Sequence, residues 1–219
     1  MNKEDNSHNP LQLLKNHPKL SKEQVRDEMV TFLIAGYETT ANTLQFLCAE
    51  LGNNTDLQKE LRKECTSQLN HSQFKKWQQQ LPFLTATIKE SMRLYPAAWI
   101  IGRQSVEKDT LGNFDIPAKQ NIIISVFLLH RLQSVWENAD SFDPSRFLKD
   151  DFPKDYYMPF GGGPRVCIGQ QLTMLEMIIF TKELINNLTI TTTSNITLKP
   201  NITLGCNDIS ISAKCNNNK

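Results

Sequence analysis

Apolar positions from Met29 to Leu51 recur at close to helical spacing: Met29, Val30, Phe32, Leu33 and Ile34, then Leu44, Leu47 and Leu51. Ser21, with Gln24 three residues on, can form a capping box ahead of this run, and Gly52 supplies a stop. The pattern predicts one helix over about 21–51, roughly 45 Å long at about 1.5 Å per residue, long enough to cross a domain. Thr55 and Gln58 suggest a second capping box, with Leu57, Leu61 and Leu69 on one face of the helix behind it. A polar stretch from Gln73 to Gln80 leads to a helix near 82–95, whose stripe is Leu84, Ile88, Met92 and Tyr95 and which Pro96 ends. Residues 97–126 read as strands, including a hairpin around Leu111-Gly112-Asn113 and an apolar strand from Ile122 to Val126. A short helix is predicted over 127–136 and little regular structure over 137–166. Ile168, Leu172, Leu175, Met177, Ile178, Ile179 and Leu184 then predict a helix from near Cys167 to about Asn187. Thr/Ile-rich strands follow at 188–193 and about 202–213. The pattern gives a fold that is mainly α with a small β part. Residues 1–20 read as a flexible lead-in, 21–212 as the folded portion and 213–219 as a disordered tail.

Two stretches break local rules. The middle of the long helix reads Ala35-Gly36-Tyr37-Glu38-Thr39-Thr40. Glycine costs about 1 kcal/mol inside a helix and paired β-branched threonine is also poor there. This is either a kink with a solvated glutamate or a functional break. The second stretch is Phe160-Gly161-Gly162-Gly163-Pro164-Arg165-Val166-Cys167-Ile168-Gly169. Three glycines and a proline cannot continue a helix or a central strand. They make a loop whose backbone can lie close to something flat, and Gly169 leaves a bare patch behind Cys167. A cysteine at a helix N-terminus faces unpaired N–H groups and the positive end of the dipole, which favours the thiolate form.

Glu90 and Arg93 are three apart on the helix near 82–95 and share a face. As a surface ion pair they would contribute a fraction of a kcal/mol. Arg103 follows a β-rich stretch, and Arg146 sits in Pro144-Ser145-Arg146-Phe147, preceded by Trp136 and Phe142-Asp143.

The spacing F-x-x-G-x-R-x-C-x-G over 160–169 is similar to the haem-binding loop of the cytochrome P-450 family, the haem-thiolate monooxygenases. The string A-G-x-[DE]-T-T over Ala35–Thr40 resembles that family's oxygen-binding helix. Glu90-x-x-Arg93 and Pro144-x-Arg146-Phe147 resemble its E-x-x-R and P-x-R-F motifs, and all of these come in the family's order. The resemblance runs from about residue 20 to about 212. It implies a cytochrome P-450 fold that lacks its N-terminal half, holding haem b (iron protoporphyrin IX) with Cys167 as axial ligand. Phe160, Gly163 and Gly169 would shape the loop, and Arg103 and Arg165 would meet the propionates, for which fork-shaped donors are suited. Ala35 and Gly36 would make room over the iron, while Glu38 and Thr39 would relay protons. Glu90, Arg93 and Arg146 would form a buried structural triad. The implied activity is insertion of one oxygen atom of O2 into a small apolar organic substrate. Its electrons would originate from NAD(P)H and arrive through a redox partner, a flavin reductase or a ferredoxin. Family members are much longer. The implied chemistry holds if the portion that would precede residue 20 is supplied, by another chain or an upstream segment, and without it the long helix would show an apolar patch. The alternative is a truncated, inactive haem-binding or poorly folded fragment. One departure from the family pattern is Ser145, where glutamate is common.

Across the 219 residues the formal net charge is +1, which gives no steering toward nucleic acid or anionic lipid. The 5 cysteines, Cys48, Cys65, Cys167, Cys206 and Cys215, are odd in number and show no C-x-x-C spacing. That points to a reducing compartment and away from zinc. Cys206 and Cys215 could meet across a hairpin, although free thiols are expected. No stretch approaches about 18 apolar residues, so a soluble chain on the cytoplasmic side is expected, with any membrane anchor in the N-terminal portion.

Overall fold

The computed structural model describes residues 10–66, 76–149 and 151–216. Two compact units make up the chain, Met1–Thr39 and Thr40–Lys219. The first unit holds α1 (Pro10–Lys15), inside the stretch expected to be a lead-in, and the N-terminal part of α2 (Lys22–Asn53). Both halves of the capping box form: the Ser21 N–H donates to Gln24 Oε1 at 2.8 Å and the Gln24 N–H to Ser21 Oγ at 3.2 Å. Leu33, Ile34 and Tyr37 are 71%, 61% and 77% exposed, so the middle of α2 presents the apolar surface anticipated from its sequence.

In the second unit the core joins Leu47 and Leu51 of α2 to α3 (Thr55–Cys65), α5 (Pro82–Leu94) and α7 (Gln170–Asn187). Trp77, on the one-turn α4 (Trp77–Gln80), and Ile190 close it. The cap of α3 is Asn54, whose side chain accepts from the Leu57 N–H at 2.9 Å. Thr55 is therefore the first helical residue and not the cap. This frees Gln58 for another task. Fully buried, it donates to the carbonyls of Leu51 and Ile190 at 2.6 and 2.7 Å and accepts from the Ile190 N–H at 3.0 Å. Gln58→Leu would leave those backbone groups unpaired and should lower stability by about 3 kcal/mol, read as a fall in the urea midpoint. Leu69 and Gln73, placed on these elements from the sequence, and the tail Asn217–Lys219 lie outside the described residues.

α5 is buried nearly all round, which periodicity alone understated. After it come β1 (Ile100–Gln104), the hairpin of β2 (Asp109–Leu111) and β3 (Phe114–Ile116), β4 (Asn121–Ser125), and α6 (Val126–Leu129). β1 pairs antiparallel with β4, placing Arg103 opposite Ile122. α6 ends at Leu129, well short of residue 136. Three short 3-10 turns, Pro144–Phe147, Lys154–Tyr156 and Gly163–Arg165, punctuate the irregular stretch. A second apolar cluster of Ala86, Trp136, Ala139 and Phe147 holds that stretch against α5. The chain ends in β5 (Leu188–Thr191), β6 (Leu198–Pro200), β7 (Leu204–Cys206) and β8 (Ser212–Cys215). β8 runs past the 213 boundary because it pairs with β5. Cys206 pairs across to β6 and Cys215 to β5, so the two lie in separate sheets, and all five cysteines are free. Among the described residues no helix is long and apolar enough to cross a membrane.

Candidate active site

The loop ahead of α7 is closed by its own backbone. The Cys167 N–H donates to the Phe160 carbonyl at 2.9 Å, the Gly161 N–H to Met158 at 3.0 Å and the Val166 N–H to Gly163 at 3.1 Å. Gly161 and Gly163 adopt φ of 71° and 67°, the left-handed region that other residues enter only at a cost. Phe160 packs against the main core and so anchors one end of the closed ring. The Cys167 thiol is exposed. A Cβ added at Gly169 would sit 3.7 Å from the Cys167 sulfur, so the sulfur rests beside a bare α-carbon. The helix itself begins at Gln170, three residues later than the sequence suggested. Cys167, whose N–H goes to Phe160, lies two residues ahead of the Gly169 cap.

Arg103 reaches this loop from β1. Its Nη2 donates to the Gly162 carbonyl at a long 3.5 Å, and its Nη1 to Gly102 at 2.9 Å. Arg165 is exposed on the same loop, so both guanidiniums border the cysteine segment. A cavity of about 140 Å³ is bounded by Phe160, Gly161, Gln170 and Met174 together with Lys89 and Met92 of α5. It is smaller than the roughly 300–1,000 Å³ of pockets that take drug-sized ligands.

Below the loop is a buried charge network. Glu90 and Arg93 are both fully buried, with Arg93 Nε 2.7 Å from Glu90 Oε2 and Nη2 2.8 Å from Oε1. The remaining guanidinium donors go to the carbonyls of His130 (2.8 Å), Ala139 (2.6 Å) and Ser141 (3.0 Å). Glu90 Oε1 also accepts from the Asp143 N–H at 2.9 Å and from Arg146 Nε at 3.4 Å. A surface ion pair does not describe this arrangement, because every donor of Arg93 is committed in the interior.

Ala35, Gly36, Glu38 and Thr39 belong to the first unit and lie on α2, which stays helical through them. The Thr39 hydroxyl donates to the Ala35 carbonyl at 2.6 Å, as threonine in a helix often does. Glu38 is exposed. A Cβ on Gly36 would meet nothing within 4 Å, so local packing does not require the glycine.

Sequence reasoning overlooked His130. It is fully buried, with Nδ1 3.0 Å from the Arg93 carbonyl and Nε2 accepting the Met158 N–H at 2.9 Å. A carbonyl only accepts and an amide only donates, so the ring is neutral with its proton on Nδ1. Burial, with Arg93 and Arg131 adding to it, pushes His130 down from 6.5 to about 4. The unfolded chain thus takes up a proton that the folded chain refuses. The contribution is whole above about pH 6.5 and is lost as pH falls toward 4. At about 1.4 kcal/mol per pH unit it amounts to about 3 kcal/mol. Urea midpoints at pH 7.5 and 4.5 should diverge less in His130→Gln than in the wild type. The available signal was a histidine inside the apolar run Leu128-Leu129-His130.

A sequence model of the family described as cytochrome P450 matches residues 3–211. The chain belongs to the cytochrome P450 family. Cytochrome P450 3A14 of Cavia porcellus is 32% identical over 176 residues, which cover 78% of this chain and 35% of that protein. The chloroplastic carotene epsilon-monooxygenase of Arabidopsis thaliana is 34% identical over 176 residues, 76% of this chain and 32% of that protein. The P450 chain therefore spans about a third of the length of these curated relatives. A crystal structure of a cytochrome P450 (CYP102L1) overlays 96% of this chain and 53% of its own, with a TM-score of 0.85 and 23% identity, a likeness of fold. The fold of this P450 chain is thus a partial one, mainly helical with small sheets.

Proposed function

We propose that this chain forms the thiolate side of a haem-thiolate monooxygenase, which inserts one oxygen atom of O2 into a small apolar organic substrate. The observation that carries the reading is the exposed Cys167 thiol, set beside a bare glycine on a loop closed by its own backbone.

The donor set suits an iron porphyrin. A free thiol is available as a metal ligand, and two exposed guanidiniums, one of them hydrogen-bonded to the Gly162 carbonyl, border the loop. Gly161, Gly162, Gly163 and Gly169 let a flat group approach the backbone. Cys167 would hold the metal, and Arg103 and Arg165 would hold the propionate carboxylates. Phe160, anchored in the core, would keep the sulfur in place. When bound, the haem supplies the oxidative chemistry, and the thiolate's electron donation favours O–O cleavage.

The protein's own part is binding and proton handling. The Thr39 hydroxyl, which donates to Ala35, and the exposed Glu38 carboxyl next to it would hold and pass protons, while Ala35 and Gly36 leave room. Glu90, Arg93 and Arg146 would keep the loop's foundation rigid. Electrons would come from NAD(P)H through a flavin reductase or a ferredoxin.

A second reading, a haem-binding fragment without turnover, is favoured by the exposed apolar residues of α2 and by Ile168 and Leu172, 81% and 60% exposed. The two readings separate in one experiment. Porphyrin-loaded chain is given NADPH, a flavin reductase, 18O2 and a panel of apolar compounds. The monooxygenase reading predicts a product carrying a single 18O. Porphyrin binding with no labelled product would leave the fragment.

A further inference from the structure

Glu90 and Arg93 lie in α5, far along the chain from Cys167, and something must carry their rigidity to the cysteine loop. His130 is placed between them. The Arg93 guanidinium holds the His130 carbonyl at 2.8 Å, and the His130 ring returns the bond from Nδ1 to the Arg93 carbonyl at 3.0 Å. The opposite edge of the ring accepts the Met158 N–H at 2.9 Å. Met158 in turn takes the Gly161 N–H at 3.0 Å, and Phe160 takes the Cys167 N–H at 2.9 Å. The ring stacks on Tyr157 at 5.3 Å, which fixes its plane.

We infer that His130 is a positioning residue, a neutral imidazole strut that transmits the Glu90–Arg93 network to the segment presenting Cys167. The role as a support for a metal-binding sulfur rests on the haem-thiolate reading, but the strut itself does not. It needs one acceptor and one donor on opposite edges of a single flat ring, and neutral histidine supplies both. A second proton would fall on Nε2 and remove the acceptor for Met158. The charged or titratable groups around the ring are Arg93 from α5, Arg131 beside it in the chain and Tyr157 stacked on it. Both arginines oppose that proton, so the strut holds at neutral pH.

The test is hydrogen exchange of the full chain, first without porphyrin. In His130→Gln the amide oxygen falls near the place of Nε2 and can still accept from Met158. In His130→Asn the shorter amide falls near Nδ1 and serves only Arg93. His130→Phe serves neither. Peptides covering 157–169 should exchange roughly tenfold faster in the Asn and Phe variants while those of α7 are unchanged, and the Gln variant should stay close to wild type. Unchanged exchange in the Asn and Phe variants, or a Gln variant as fast as Phe, would overturn the inference. Should the variants lose α7 as well, the 15N shifts of the His130 ring in the wild type decide. A protonated Nδ1 and a bare Nε2 coupled to the Met158 amide support the strut, and a protonated Nε2 refutes it. Porphyrin loading is measured separately. Slow loop exchange with no porphyrin uptake would remove the haem reading and leave the strut standing.

Discussion

Glu90→Ala should cost the chain about 4 kcal/mol, a large part of an ordinary domain's stability. The carboxylate accepts from Nε and Nη2 of Arg93, from the Asp143 N–H and from Arg146. Its loss leaves the fully buried Arg93 guanidinium with a charge and no counter-charge, a situation that costs about 3–5 kcal/mol when one partner of a buried pair is removed. Whole domains are stable by only about 5–15 kcal/mol. Arg93→Ala should be as severe, because it leaves buried Glu90 with only the long Arg146 contact as counter-charge and releases the carbonyls of His130, Ala139 and Ser141 as well. Arg146 should matter less. Its side chain is 12% exposed and its bond to Glu90 is 3.4 Å long, so water can take over part of its role. Urea unfolding of the three variants should give Glu90 and Arg93 together, well ahead of Arg146. Equal effects at all three, or a small effect at Glu90, would mean that the pair is not buried as described.

Cys167→Ala is expected to act in the opposite way, harming chemistry and sparing the fold. The side chain is exposed, and exposed substitutions usually change stability by less than about 0.5 kcal/mol. Iron affinity should fall by more than about 100-fold, since even outer-shell partners of metal ligands are worth about 10–100-fold. On the monooxygenase reading, oxygen insertion should be lost with it. Porphyrin titration by absorbance, beside a urea curve, checks both halves. A variant that unfolds would make Cys167 a packing residue, and one that keeps full iron affinity would point to another ligand.

The chain's helices were legible where caps and periodicity agreed. Ser21 and Gln24 mark the start of α2 within a residue, and α5 and the end of α7 also fall where their patterns place them. The start of α7 was placed too early because the first helical bond is the Thr173 N–H to the Gly169 carbonyl, and apolar spacing does not mark that cap. The short helix predicted to residue 136 stops at Leu129. After Leu129 the N–H groups of Arg131 and Leu132 turn to carbonyls three residues back, Leu128 and Leu129, so the chain continues as turns. Motif spacing brought Phe160, Gly163, Arg165, Cys167 and Gly169 to attention together because they share one loop. His130 escaped because its partners, Arg93 and Met158, lie 37 and 28 residues away and carry no local signature. The buried state of Glu90 and Arg93 was implied by the motif resemblance and not by their helical spacing. Spacing on a helix shows that two charges share a face, but not that α5 has protein on every side.

The central claim is that the Cys167 sulfur ligates the iron of a haem. The full chain, reconstituted with iron protoporphyrin IX, reduced and treated with carbon monoxide, tests it by its absorption. A Soret band strongly shifted to the red is the predicted result. A band at the ordinary haem position, or no uptake of porphyrin at all, would contradict it.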